Sequence, residues 1–145
     1  MRTAKAFALL LMLAVAGCAA PRLTPQLAAE MGYELLGPQM QYDDKLLMAW
    51  IPAAPVTAAP LSAAASPFTA ELARVIAPAA RQPVHVTVAG DDSAFTAQVI
   101  KAACALLPAE LPHLRLMFVG HPAHAAEVRQ AVLSRRGAFF FEPAP

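Results

Sequence analysis

The sequence predicts a small three-layer α/β domain of three to four mainly parallel strands in a βαβαβ order, preceded by a proline-rich arm. Two observations predict it. Residues 84–89 (VHVTVA), 114–119 (LRLMFV) and 138–141 (AFFF) are short apolar runs, the first two closed by glycine. Between them lie stretches of helical periodicity, and apolar strands joined through amphipathic helices imply right-handed crossovers and a parallel sheet covered on both faces. A ferredoxin-like α+β arrangement is the alternative.

The elements follow in chain order. Thr24-Pro25 reads as an N-cap and first helical residue, Leu27, Met31 and Leu35 recur at helical spacing, and Gly37-Pro38 stops the run. A helix over about 25–36 follows, with Gly32 in its interior costing about 1 kcal/mol relative to alanine. Residues 39–45 are polar and turn-like. Leu46 to Ile51 (LLMAWI) holds the only tryptophan; a buried strand is favoured over a helix end, although periodicity cannot separate the two in so short a run.

Residues 52–65 carry no charge and include Pro52, Pro55 and Pro60, which suits a semi-rigid linker or a surface loop. The linker reading divides the chain into a membrane-proximal arm, 18–51, and a folded domain, 66–145. The loop reading brings 46–51 into the same sheet.

Ser66-Pro67 opens a second helix with Leu72, Val75, Ile76 and Ala79 on one stripe. Asp91-Asp92-Ser93 opens a third, running to about Leu107 with Phe95, Val99, Ala103 and Leu106 inward. His121-Pro122 opens the last, with Ala125, Val128 and Val132 inward. Arg135-Arg136 suits its C-terminal dipole, and Gly137 is the expected residue at C′.

The N-terminus is of a different kind. Arg2 and Lys5 precede an uncharged run, Ala6 to Ala16 (AFALLLMLAVA), of signal-peptide length and too short to span a bilayer. Val15-Ala16-Gly17-Cys18 follows. This segment resembles the lipobox of bacterial lipoprotein precursors, in which an aliphatic residue, two small residues and a cysteine end the signal. The resemblance implies that 1–17 is a signal peptide, that Cys18 receives a diacylglycerol thioether, and that the new N-terminus is acylated. In that family an Asp after the cysteine marks inner-membrane retention in enterobacteria. Ala19 stands there instead, so the resemblance implies the outer membrane at its periplasmic face, with the outer leaflet of the inner membrane as the alternative. It covers about the first twenty residues.

Without the signal, nine basic residues face ten acidic ones. That near-neutral balance argues against nucleic acid as a partner and leaves the lipid as the only expected membrane anchor. Lipidation also consumes one of the two cysteines, so Cys104 has no intramolecular disulfide partner and reads as a buried small hydrophobe.

Ligands of parallel sheets usually bind beyond the carboxyl ends of the strands, near a switch in strand order. Asp91, Asp92, His121 and His124 fall at those ends and are the candidate ligands for a metal or small molecule, or an acid and base for weak hydrolysis. Helix capping accounts for the same residues more simply. No phosphate-binding glycine loop and no G-x-S-x-G elbow is present. His85 and His113 read as edge or surface residues. Trp50, Phe139 and Phe141 are either core or an apolar partner surface. The expected protein is therefore a lipid-anchored, periplasm-facing accessory or assembly subunit of an envelope complex, with an envelope protein as partner, no cofactor beyond the lipid and no enzymatic activity. A small-ligand or metal-binding domain is the alternative.

Overall fold

The structure, a computed structural model, describes residues 21–53 and 62–145. The elements are α1 (Pro25–Leu36), β1 (Leu46–Ile51), α2 (Pro67–Ile76), β2 (Val84–Gly90), α3 (Ser93–Leu106), β3 (Leu114–Gly120), α4 (Ala125–Leu133) and β4 (Ala138–Pro143). All three strand pairings are parallel, in the order β1-β2-β3-β4. The α/β expectation holds and the ferredoxin-like alternative does not.

Local signals work as the sequence suggests. Thr24 Oγ1 accepts from the Leu27 amide, Ser66 Oγ from Phe68 and Asp92 Oδ1 from Phe95, and proline opens α1 and α2. One cap differs. The left-handed residue after α4 is Arg136 (φ 62°), not Gly137. Bonds from Gly137 N to Val132 O and from Arg136 N to Leu133 O form a Schellman closure with Arg136 at C′. Gly137 is needed for space instead, since a Cβ there would lie 2.9 Å from Val132 Cγ1.

Because successive strands are neighbours and each crossover has the same hand, α2, α3 and α4 share one face. Their side chains Leu72, Ile76, Val99, Ile100, Val128 and Val132 pack with Val86, Val88, Leu116 and Phe118 in the larger core. The other face is covered by α1, chiefly over β1, β2 and β3. Here Ala28 and Leu36 pack with Ala89, Met117 and Val119.

The division at residue 66 is thereby corrected. Residues 46–51 pair along their whole length with 85–90, and α1 supplies one layer of the sandwich, so the α/β unit includes 25–51. An uncovered sheet face would expose a strip of apolar side chains, and α1 is the helix that buries it. His85 is also corrected: it is fully buried, because β2 is an inner strand with β1 and β3 beside it.

The glycine inside α1 is a contact residue. Gly32 lies so close to β2 that a Cβ would come within 1.9 Å of Thr87 Oγ1 and 3.0 Å of Thr87 Cβ. The helix accepts a poor helix former in exchange for close approach to the sheet.

Candidate functional site

The carboxyl ends of β2 and β3 do meet on one rim. Ser93 Oγ, just after β2, accepts from the His121 amide, just after β3, at 2.6 Å. Asp91 Oδ2 accepts from Ala53 N at 3.0 Å, and Asp91 N donates to Ile51 O at 3.1 Å, so the end of β1 is tied to the same rim. Asp92 caps α3. His121 Nδ1 accepts from Ala123 N at 3.1 Å, which makes that nitrogen an acceptor and places the proton of a neutral ring on Nε2.

Asp91, Asp92 and His121 are therefore each engaged by nearby backbone. His124 is drawn elsewhere: Nδ1 lies 3.1 Å from Glu127 Oε1, and its ring centroid is 6.2 Å from that of His121. Among the described residues no three His, Cys, Asp or Glu side chains converge as a metal site would need. Strand order matters as well. A sequential 1-2-3-4 sheet has no reversal of crossover direction, so the crevice of a topological switch point does not form at this rim. Asp91 and the Ser93–His121 bond tie the ends of three strands together, while Asp92 caps α3.

Two polar clusters were not legible in the sequence. On α4, Glu127 receives Lys101 Nζ of α3 at 2.8 Å and faces His124. The Lys101 hydrogen bond, followed by that of His124, holds the Glu127 carboxyl below its ordinary value against the opposing effect of burial. It braces α3 against α4. At the other end of the sheet, Asp44 Oδ2 lies 2.9 Å from His85 Nε2 and accepts from the Gln41 amide at 2.9 Å. The Gln41 amide is the main cause of a lowered Asp44 carboxyl, with His85 adding to it. Asp44 and His85 are 41 residues apart, so only the β1–β2 register could have shown the pair.

Trp50, Phe139 and Phe141 do not form one surface. Trp50 points from β1 toward the α1 face, whereas Phe139 and Phe141 point from β4 into the larger core on the opposite face. Phe141 packs its ring 6.0 Å from that of Phe118. Since β1 and β4 are the two outer strands, the aromatics lie at opposite edges as well. Cys104, on α3, is buried in the larger core, and burial pushes its thiol up to about 11. Cys18 and the residues around it lie outside the described residues.

The architecture defines an all-parallel, sequentially ordered α/β domain. Comparison with protein-family models, with curated proteins and with solved structures finds no match to this chain.

Proposed function

We propose that this chain is a bacterial lipoprotein, anchored through acylated Cys18 to the periplasmic face of the outer membrane, and that its α/β domain serves as a non-enzymatic accessory or assembly subunit of an envelope complex. One observation carries the reading: Val15-Ala16-Gly17-Cys18 stands directly behind a basic start and an uncharged apolar run. Among the described residues no helix is long and apolar enough to cross a membrane, so this reading assigns membrane attachment to the lipid. Several acyl chains on one cysteine, at about 0.8 kcal/mol per buried CH₂, anchor far better than a single chain.

The assembly role draws on the rim geometry. Asp91, Asp92 and His121 are occupied in capping and strand-end bonds, which favours a protein that presents surfaces over one that performs chemistry at this rim. The alternative metal or hydrolase reading has no comparable support there.

Two measurements test the proposal. Mass spectrometry of the mature N-terminal peptide should show a diacylglycerol and an N-acyl group on Cys18. The Cys18→Ser variant should lose the acyl mass and leave the outer-membrane fraction while its circular dichroism stays native. Unchanged fractionation of that variant would refute the anchor. Affinity purification from crosslinked envelopes tests the assembly role, and recovery of no specific partner sinks it.

A further inference from the structure

We infer that the outer edge of β4, with the flank of α4 beside it, is a self-association surface. Two copies of this chain pair their β4 strands antiparallel about Phe140 and join their sheets into one. The inference needs no lipid and goes beyond the proposed anchor.

The free groups on β4 follow from its pairing with β3. Ala144 N donates to Gly120 O across that pair. In a strand the N–H and C=O of one residue point the same way, and successive residues alternate. Residues 138, 140 and 142 therefore bond β3, while Phe139, Phe141 and Pro143 aim their main-chain groups outward. Among the described residues no strand pairs with that side. Pro143 has no N–H to offer, and the Gly137 N–H is given to Val132 O. The outward donors are thus those of Phe139 and Phe141. A two-fold at Phe140 sets Phe139 opposite Phe141 of the second copy and the reverse, which satisfies all four N–H groups. It also sets Pro143, which lacks a donor, opposite Gly137, whose donor is engaged.

A two-fold contact needs a patch that holds both halves of every pair, and both faces beside this edge do. On the α1 face Phe140 meets its own copy. It is only partly buried, and α1 lies chiefly over β1, β2 and β3. Glu142 falls opposite Ala138, and the residue level with Ala138 on β3 is Arg115. Neither Glu142 nor Arg115 has an ion pair among the described residues. Two strand spacings, about 10 Å, separate them across the small Ala138, a span that glutamate and arginine side chains close together.

On the other face, Val128 and Val132 of α4 point inward and Glu127 and Ala131 line the groove toward α3. Ala126, Arg129 and Leu133 are left on the flank beside the open edge, where they line a shallow depression and Leu133 is 46 % exposed. Antiparallel α4 helices set Leu133 against Ala126 of the other copy, a large residue against a small one. The other charges near this edge are few. Arg136 is paired with Glu110, and Arg22 is exposed at the exit end of the strands. The two Arg129 side chains meet as like charges near the axis, an exposed contact that salt screens. One strand pair and one helix contact make a small interface, so the dimer belongs to the weak class, with a dissociation constant of about micromolar order.

The test combines association with register. Sedimentation equilibrium of the full protein in density-matched detergent should show a reversible monomer–dimer equilibrium. Glu142→Lys should weaken it at least about tenfold, and adding Arg115→Glu should restore it, with circular dichroism unchanged in both. Ala138→Cys and Glu142→Cys proteins, mixed and mildly oxidised, should form a 138–142 disulfide between copies, since directly opposed residues of this kind lie about 4.5 Å apart. Either variant alone should not, because identical positions are about 13 Å apart along the strands. The parent protein, with Cys18 and the buried Cys104, gives the background. A parent that stays monomeric at about 100 µM, far above micromolar dissociation, would overturn the inference without recourse to any variant. So would a dimer that gives no 138–142 disulfide in the mixture, equal crosslinking in the unmixed samples, or a Glu142→Lys protein that associates as the parent does.

Discussion

Replacing Gly32 with alanine separates two physical expectations of opposite sign. On helix propensity alone, alanine in the interior of α1 stabilises by about 1 kcal/mol. The structure predicts the reverse. A Cβ at this position would meet Thr87 Oγ1 at 1.9 Å, Thr87 Cβ at 3.0 Å and Thr87 Cγ2 at 3.3 Å. Rotating the threonine moves its hydroxyl but not its Cβ, so a rotamer change does not clear the overlap. The helix must lift from the sheet by about an ångström, loosening Ala28 and Leu36 against Met117 and Val119. Overpacking of this kind costs about 1–3 kcal/mol. Set against the propensity gain, a net loss of up to about 2 kcal/mol is expected, which at the upper end lowers the melting temperature by several degrees in a domain of this size. Urea unfolding followed by circular dichroism measures it. In a Thr87→Ala background, where Oγ1 and Cγ2 are gone, the cost of Gly32→Ala should fall by about 1 kcal/mol, a coupling typical of touching residues. A Gly32→Ala protein more stable than the parent, or an equal cost in both backgrounds, would refute the close approach of α1 to β2.

Three further outcomes are expected. Arg136→Gly should stabilise by about 0.5–1 kcal/mol in urea unfolding, because it relieves a left-handed residue carrying a side chain and gives up only an exposed pair with Glu110. Stability should fall as the pH drops below the ordinary Asp and Glu values of 3.8 and 4.5, since both Asp44 and Glu127 are lowered in the folded state and the unfolded chain takes up protons first. Asp44→Asn and Glu127→Gln should each flatten that acid limb, and an unchanged pH profile of unfolding would count against both pairs. The Cys104 thiol should resist Ellman's reagent at pH 8 in the native protein and react on unfolding, because it is buried and its thiolate is disfavoured.

Much of the fold is legible locally. The strand at 84–90 is β-branched on alternate residues and stops at a glycine, and the start of α2 is marked by Ser66-Pro67 because a hydroxyl cap and a proline both suit the first turn. The six-residue run at 46–51 is a harder case. Its apolar character fits a strand, yet whether it belonged to the domain depended on residues 85–90, nearly forty positions away. The uncharged, proline-bearing connection looked like a boundary because local composition cannot report that both of its ends return to one sheet.

The candidate site divides the same way. Capping by Asp92 is visible in Asp92-Ser93 before an apolar periodicity, and the structure confirms the bond to Phe95 N. The pairing of Asp44 with buried His85 is not visible, nor is the separation of Trp50 from Phe139 and Phe141 onto opposite faces and edges. A one-residue change of register would turn each of these side chains to the other face.

The sequence by itself determines the kinds and order of the elements and most of their caps, because each is set by interactions within a few residues. Tertiary structure alone decides the sequential strand order, the place of β1 in the sheet and of α1 over it, and the reason for Gly32. Those depend on contacts between segments tens of residues apart. A parallel sheet forms all of its pairings that way, since neighbouring strands must be joined by a crossover long enough to return the chain to the same end.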